Sequence, residues 1–331
     1  MVPARDWRGW CARALLSALA AGLVAPALAG SPSPTEAGAW LQRINDAASG
    51  LSYRGTMVFT AGQVVSSSRV AHLCAGDEVY ERVEALDGHM QRVYRHNETV
   101  RTVWPERKVV VDEPRNAARG LVSTRRRVEP RALDVYTLRE LGDHHVAGRT
   151  VRKLVLEPRD ALRFAQRLWV DSKSGLLLRA DVMSADGRML ESSSFTDVEF
   201  DVPRDPAAVL AGNQPAGYEV IPSRREPIDW QAQGWTLRKP VPGFALASAV
   251  RMPAPSDNGP AYTLQAIFSD GLSFVSLFIE PYREQVHPRA LSAELGAMHT
   301  VMQRHDDHWI TVMGEVPRTT LDAFLAALLH R

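Results

Sequence analysis

From Ser52 onward, apolar and polar residues alternate. Tyr53, Gly55, Met57 and Phe59 fall on one side, and Arg54, Thr56, Val58 and Thr60 on the other. A period of two marks a strand with one apolar face. Residues 64–73 read as its partner across Ala61-Gly62-Gln63. Residues 77–86 and 90–95 flank Asp87-Gly88, a short hairpin signal. Strands at 99–104 and 108–112 follow around Pro105, and residues 114–130 break the pattern. Alternation resumes at 150–156, 168–171, 176–183 and 189–200, with turns at Ser172-Lys173-Ser174-Gly175 and Asp186-Gly187. Successive strands on short turns predict an antiparallel meander, strongly curved or partly closed. The period is different before Ser52. Trp40, Leu41, Ile44, Ala47 and Ala48 recur at helical spacing, and Gly50 ends the run. A further helix is expected near 133–141.

Residues 201–229 carry Pro203, Pro206, Pro215, Pro222 and Pro227. Proline opposes regular pairing, so this stretch reads as a linker and hinge. Beyond it the pattern is shorter. Extended runs are expected at 235–237, 244–251, 262–268, 272–280, 300–304 and 309–315. A short helix is expected at 291–297, and a terminal helix carries the stripe Leu321, Phe324, Leu325 and Leu328. The division is therefore 1–29, 30–200, 201–229 and 230–331. The fold class is mainly β with α+β character: a large half-open antiparallel β-barrel and a smaller C-terminal α+β domain.

Residues 1–29 bear on location. Arg5, Arg8 and Arg13 precede an apolar run, and Ala27-Leu28-Ala29 supplies small residues for cleavage. This pattern is that of a secretory signal peptide. Its removal leaves 302 residues with 36 basic and 37 acidic side chains. That balance argues against nucleic acid as a partner. Cys11 leaves with the signal and Cys74 stays, so no intramolecular disulfide can form.

The chemistry-bearing motifs are sparse. The chain contains no Gly-x-Ser-x-Gly elbow, His-Glu-x-x-His, phosphate loop or dinucleotide fingerprint. An enzyme is not expected, and neither a cofactor nor a metal. His305-Asp306-Asp307-His308 reads as a turn between strands, with a zinc site as the sharper alternative. Arg125, Arg126 and Arg127 read as a solvated loop or as a patch for a lipid headgroup or acidic partner. Apolar residues on a curved sheet under a loose cover would leave a cavity for acyl chains; a tight core is the other reading.

Several segments together resemble the MucB/RseB family of periplasmic regulators of the sigma-E (AlgU-type) envelope stress response. Arg167-Leu168-Trp169-Val170-Asp171 continues through Ser174-Gly175-Leu176-Leu177-Leu178-Arg179-Ala180-Asp181. Ala185-Asp186-Gly187-Arg188-Met189-Leu190-Glu191 follows. Trp235 then precedes Pro242-Gly243-Phe244. Phe268-Ser269-Asp270-Gly271-Leu272-Ser273-Phe274-Val275-Ser276 and Ile310-Thr311-Val312-Met313-Gly314-Glu315-Val316-Pro317 complete the set. The resemblance implies a first domain like the lipoprotein carriers LolA and LolB. It also implies a periplasmic location and a partner: the periplasmic domain of an RseA/MucA-type anti-sigma factor, shielded from proteolysis. Lipid, lipoprotein or lipopolysaccharide would be the releasing effector.

The resemblance supplies no site motif for lipid contacts, so the candidate residues are inferred from sheet alternation and domain placement. Tyr53, Met57, Phe59, Leu178 and Val182 are candidates to line a lipid cavity. Trp235, Ser269, Asp270, Gly271 and Phe274 are candidates to contact the partner, with a buried role for Phe274 as the alternative. A lipoprotein or lipid carrier and an envelope hydrolase stand as alternative functions. Sheet edges leave a homo-oligomer open.

Overall fold

The computed structural model describes residues 33–114, 128–222, 224–254, 261–287 and 289–331. Helix α1 (Pro34–Gly50) starts at Ser33, whose hydroxyl accepts from the Glu36 N–H while the Glu36 carboxylate accepts from the Ser33 N–H. This reciprocal cap satisfies two orphan donors, and Pro34 occupies the first turn, where no N–H is needed.

Strands β1 (Tyr53–Ala61), β2 (Val64–Ala75), β3 (Glu78–Ala85), β4 (Arg92–His96), β5 (Thr99–Trp104) and β6 (Val109–Pro114) form one meander. Strands β7 (Tyr136–Val146), β8 (Arg149–Pro158), β9 (Ala165–Asp171), β10 (Leu177–Met183) and β11 (Met189–Glu199) form a second. Antiparallel pairing of β1 with β11 joins them. A short helix α2 (Pro206–Leu210) and strand β12 (Glu219–Pro222) follow, and β12 pairs in parallel with β6. The order across this twelve-stranded sheet is β12-β6-β5-β4-β3-β2-β1-β11-β10-β9-β8-β7. Its two edges, β12 and β7, do not pair with each other, so the sheet stays open. Where β1 meets β11 the backbones come close. A Cβ on Gly55 would sit 2.3 Å from the Asp197 carbonyl oxygen and 3.1 Å from the Phe195 ring.

Two cores share this sheet. Leu41 and Ile44 of α1 pack with Tyr136, Leu138, Leu154, Leu156 and Leu168. Tyr53, Val70, Val83, Trp169, Leu178 and Phe195 form the other.

Strands β13 (Glu226–Pro227), β14 (Trp235–Leu237), β15 (Ala245–Ala254), β16 (Ala261–Ser269), β17 (Phe274–Pro281), β18 (Leu291–Leu295), β19 (Met298–His305) and β20 (His308–Gly314) build the second domain, with helix α3 (Arg318–Ala327) and strand β21 (Leu328–His330). Its seven-stranded sheet runs β13-β15-β16-β17-β20-β19-β18, and β14 pairs with β21 alone. Leu321, Phe324 and Leu325 of α3 cover one face of the larger sheet, over Phe268, Leu277, Ile279, Val301, Ile310 and Val312.

The mainly β architecture with an α+β second domain is what the alternation predicted. Three local expectations fail. Residues 291–295 form the edge strand β18, not a helix. Residues 130–134 make a 3-10 turn, and β7 takes the rest of the expected helix near 133–141. The proline-rich stretch is not free of pairing, since β12 joins the first sheet and β13 the second. Both are short edge strands, where a missing proline N–H costs no central ladder bond. His305-Asp306-Asp307-His308 is the turn between β19 and β20, with Asp306 at φ 52°.

Candidate functional site

The two domains meet along a built seam. Arg163 of the first domain enters the second. Its Nε donates to Asp270 Oδ2 at 2.8 Å and its Nη2 to the Pro242 carbonyl at 2.5 Å, and its guanidinium lies 4.8 Å from the Phe244 ring centroid. Both charged side chains are 0% exposed. Asp270 Oδ1 accepts from the N–H groups of Leu272 and Ser273, which fixes the turn. Burial pushes the Asp270 carboxyl above its usual pKa, against the pull of those donors and of Arg163. Around this pair, the Glu129 N–H donates to the Gly271 carbonyl at 2.8 Å and Arg131 to the Ser269 carbonyl at 2.9 Å. The Thr320 hydroxyl donates to the Leu162 carbonyl at 2.7 Å. Further along, the Ala297 N–H donates to Glu191, and Phe164, Val182 and Ala297 pack together. Arg225 bridges Glu113 of β6 and Gln265 of β16.

The sheet register defines a second feature. Directly paired residues in a sheet project to the same face. One row therefore runs Val250–Gln265–Phe278–Thr311–Met302–Leu291 across six strands. The next runs Ser248–Ile267–Ser276–Met313–Thr300–Ala293, with Met298 and Leu295 beyond. This face lies opposite α3. Phe274, Phe278, Met298, Met302 and Met313 on it are half-buried, and Leu291 and Leu295 are exposed. Gln265, Ile267 and Ser276 of the same rows are buried, whereas none of the seven half-buried or exposed residues belongs to a core cluster among the described residues. A cleft of about 340 Å³ borders the face at Met252 and is rimmed by Arg224 and Arg225. Polarizable, flexible methionines beside aromatic rings make a surface that adapts to a partner's side chains.

The nominated residues distribute unevenly over these features. Of the five partner candidates, Phe274 and its register partner Ser269 lie on the open face, and Phe274 alone of these is not buried. Trp235 is 1% exposed and stacks on His330 at 4.4 Å in the second core, so it is a core residue. Ser269, Asp270 and Gly271 are buried in the seam, because the turn they form is the socket for Arg163 and Arg131. Tyr53 and Leu178 are buried in the first-domain core, with Met57 packed against it. Val182 is buried at the seam, and Phe59, 38% exposed, marks the open end of β1. A second cleft, about 500 Å³, lies beside α1 at Arg43, Asp46 and Leu51. None of the five lipid candidates lines either cleft. Arg125, Arg126 and Arg127 lie outside the described residues, as does the candidate signal peptide.

Comparison with known proteins bears on what this face does. Residues 36–213 match the MucB/RseB N-terminal domain and residues 229–328 the MucB/RseB C-terminal domain. The chain belongs to the MucB/RseB family. It is 30% identical over 299 residues to the sigma factor AlgU regulatory protein MucB of Pseudomonas aeruginosa, covering 87% of this chain and 89% of that protein. It is 25% identical over 289 residues to the sigma-E factor regulatory protein RseB of Escherichia coli K12, covering 86% and 87%. Among solved structures, MucB in complex with MucA(peri) superposes with a TM-score of 0.67 at 25% identity, over 88% of this chain and 98% of that one. The Pseudomonas aeruginosa MucA/MucB complex gives 0.70 at 26% identity, over 89% and 99%. MucB/RseB relatives are thus named as sigma-factor regulators, and MucB has been solved together with MucA.

Proposed function

We propose that this protein is a periplasmic regulator that binds the periplasmic region of a MucA/RseA-type membrane anti-sigma factor and shields it from proteolysis. The observation that carries this reading is the face of the second sheet opposite α3: Phe278, Met302, Met313 and Leu291 at register positions that no helix among the described residues covers. An apolar face next to a polar seam suits a polypeptide segment laid across both domains. The names of the relatives support the same partner class.

Release by lipid or lipopolysaccharide is the second half of the reading. An amphiphile shifts the equilibrium only through different affinities for the bound and free arrangements. Moving the population from almost fully bound to almost fully free takes about 5.5 kcal/mol. About seven newly buried methylenes supply that much. The exposed residues Phe59, Val64 and Val65 near the tip of the β1–β2 hairpin are the entry point we assign. That tip abuts the second domain, since a Cβ on Gly296 would lie 2.8 Å from the Ala61 Cβ. A carrier function would call for a cavity at Tyr53, Leu178 and Val182, and those three side chains are buried in cores.

Co-purification of the chain with a purified anti-sigma periplasmic segment tests both halves. Retention of the pair, and its loss on adding lipopolysaccharide, is the expected result. No retention under any condition removes the binding role. Retention through saturating amphiphile removes the release step.

A further inference from the structure

Sheet register gives the first domain an outer face that α1 does not cover. One row of residues runs Ser67–Val58–Ser194–Arg179–Trp169–Lys153 across six strands. The next runs Val65–Thr60–Ser192–Asp181–Arg167–Val155–Arg139 across seven. Leu154, Leu168 and Ala180 alternate with these residues and point the other way, into the core under α1. Helix α2 packs farther along, on Leu73 and Tyr80.

The two rows carry four cations and a single carboxylate. Arg179 pairs with that carboxylate, Asp181, at 2.8 Å, and the Ser192 hydroxyl donates to it at 2.7 Å. Arg139 pairs at 2.8 Å with Glu157, which lies one row on. Lys153 and Arg167 are left over, and neither forms an ion pair with a described residue. Trp169 lies among them. The Lys153 ammonium sits 5.2 Å from its ring centroid and the Arg179 guanidinium 4.6 Å. Burial first, then the charge of Arg167, hold the Lys153 ammonium below its usual pKa. Like charges gathered without a counter-charge attract anions. The end of the face favours a lipid surface over an acidic peptide. Val65 closes the second row at 64% exposure, and Val64 beside it is 46% exposed. Cations spread over a sheet face, with apolar side chains bare at its end, match a layer where phosphates overlie hydrocarbon.

We infer that this outer face docks reversibly on an anionic membrane surface, with Lys153 and Arg167 against lipid phosphates and the tip of the β1–β2 hairpin in the apolar boundary. The inference does not rest on the anti-sigma reading. Two unpaired cations and a shallow apolar tip make the binding weak and salt-sensitive.

Co-sedimentation of the chain without residues 1–29 with lipid vesicles is the test. Binding to phosphatidylcholine vesicles that contain phosphatidylglycerol is expected, weakening as salt is added and lost on phosphatidylcholine alone. Each cation near such a surface contributes a factor of about five, so K153E/R167E should lower the partition coefficient at least about tenfold. K153Q/R167Q removes the charges with less disturbance around Trp169 and should also weaken binding, at a urea midpoint near wild type. R238E/K239E changes net charge as much as K153E/R167E, on exposed residues of the second domain, and should bind as wild type. A wild-type chain that ignores anionic vesicles overturns the inference. Equal losses in K153E/R167E and R238E/K239E also overturn it, because net charge alone would then be at work. Wild-type vesicle binding by K153E/R167E, with loss of the anti-sigma segment, assigns the patch to an acidic polypeptide and overturns it as well. Loss of vesicle binding with intact anti-sigma binding supports it and leaves the proposed function untouched.

Discussion

Arg163 and Asp270 show what single residues do here. Two charges are withdrawn from water and set 2.8 Å apart. Removing one partner strands the other, at a cost of about 3–5 kcal/mol. Asp270→Ala should therefore lower urea stability by that amount, whereas Arg163→Met with Asp270→Leu should cost clearly less. An equal loss in both would mean that the pair's geometry, not its charge, holds the seam. Gly271 belongs to the same socket. It adopts φ +98°, and a Cβ there would lie 2.9 Å from the Ala132 backbone nitrogen. Gly271→Ala is expected to loosen domain docking, read as faster amide exchange at Glu129 with the β8–β9 core unchanged. The sequence marked Ser269-Asp270-Gly271 as a turn worth naming, but not its use. A turn that binds a partner and a turn that binds the chain's own second domain have the same composition. Trp235, buried in the second core, was ambiguous for a related reason, since a tryptophan suits a hot spot and a core equally well.

At the scale of elements, the alternating strands of the first domain other than β7, and both flanking helices, were legible, because each buries a single face. The second sheet was harder. Phe274-Val275-Ser276-Leu277-Phe278-Ile279 is apolar on both sides, so periodicity alone cannot tell the face under α3 from the open one. Strand β18 was misread as a helix because Leu291 and Leu295 stand four apart, a spacing that fits either element. Strand β20 carries a pH dependence. His308 lies at the β19–β20 turn, with His305, Asp306 and Asp307 beside it and His330 of β21 at a ring distance of 4.8 Å. Burial first, then His330, hold its imidazole below the usual pKa. The folded chain keeps His308 neutral while the unfolded chain takes up the proton. Stability is thus full above the unfolded value of about 6.5 and falls as pH drops through it toward the folded value. Urea midpoints measured on either side of pH 6.5 should decline on the acid side, and His308→Gln should flatten that decline. An unchanged slope in the variant would remove His308 as the cause.

The whole molecule is a pair of β-domains docked through a polar seam, with a partly exposed apolar face beside it. The family was legible in the ordered set of segments from Arg167 to Pro317. The docking was not, because Arg163, Glu191 and Arg225 find their partners 107, 106 and 112 residues away in the chain. The central claim is that the open face binds the anti-sigma segment. Isothermal titration of a MucA/RseA-type periplasmic segment into the wild-type chain, Met302→Lys and Phe278→Lys tests it most directly. A loss of affinity of at least about tenfold in each variant is expected, the size typical of a buried interface anchor. Their urea midpoints should stay near wild type, because both side chains are half-exposed. Wild-type affinity in both variants would place the partner elsewhere and contradict the claim.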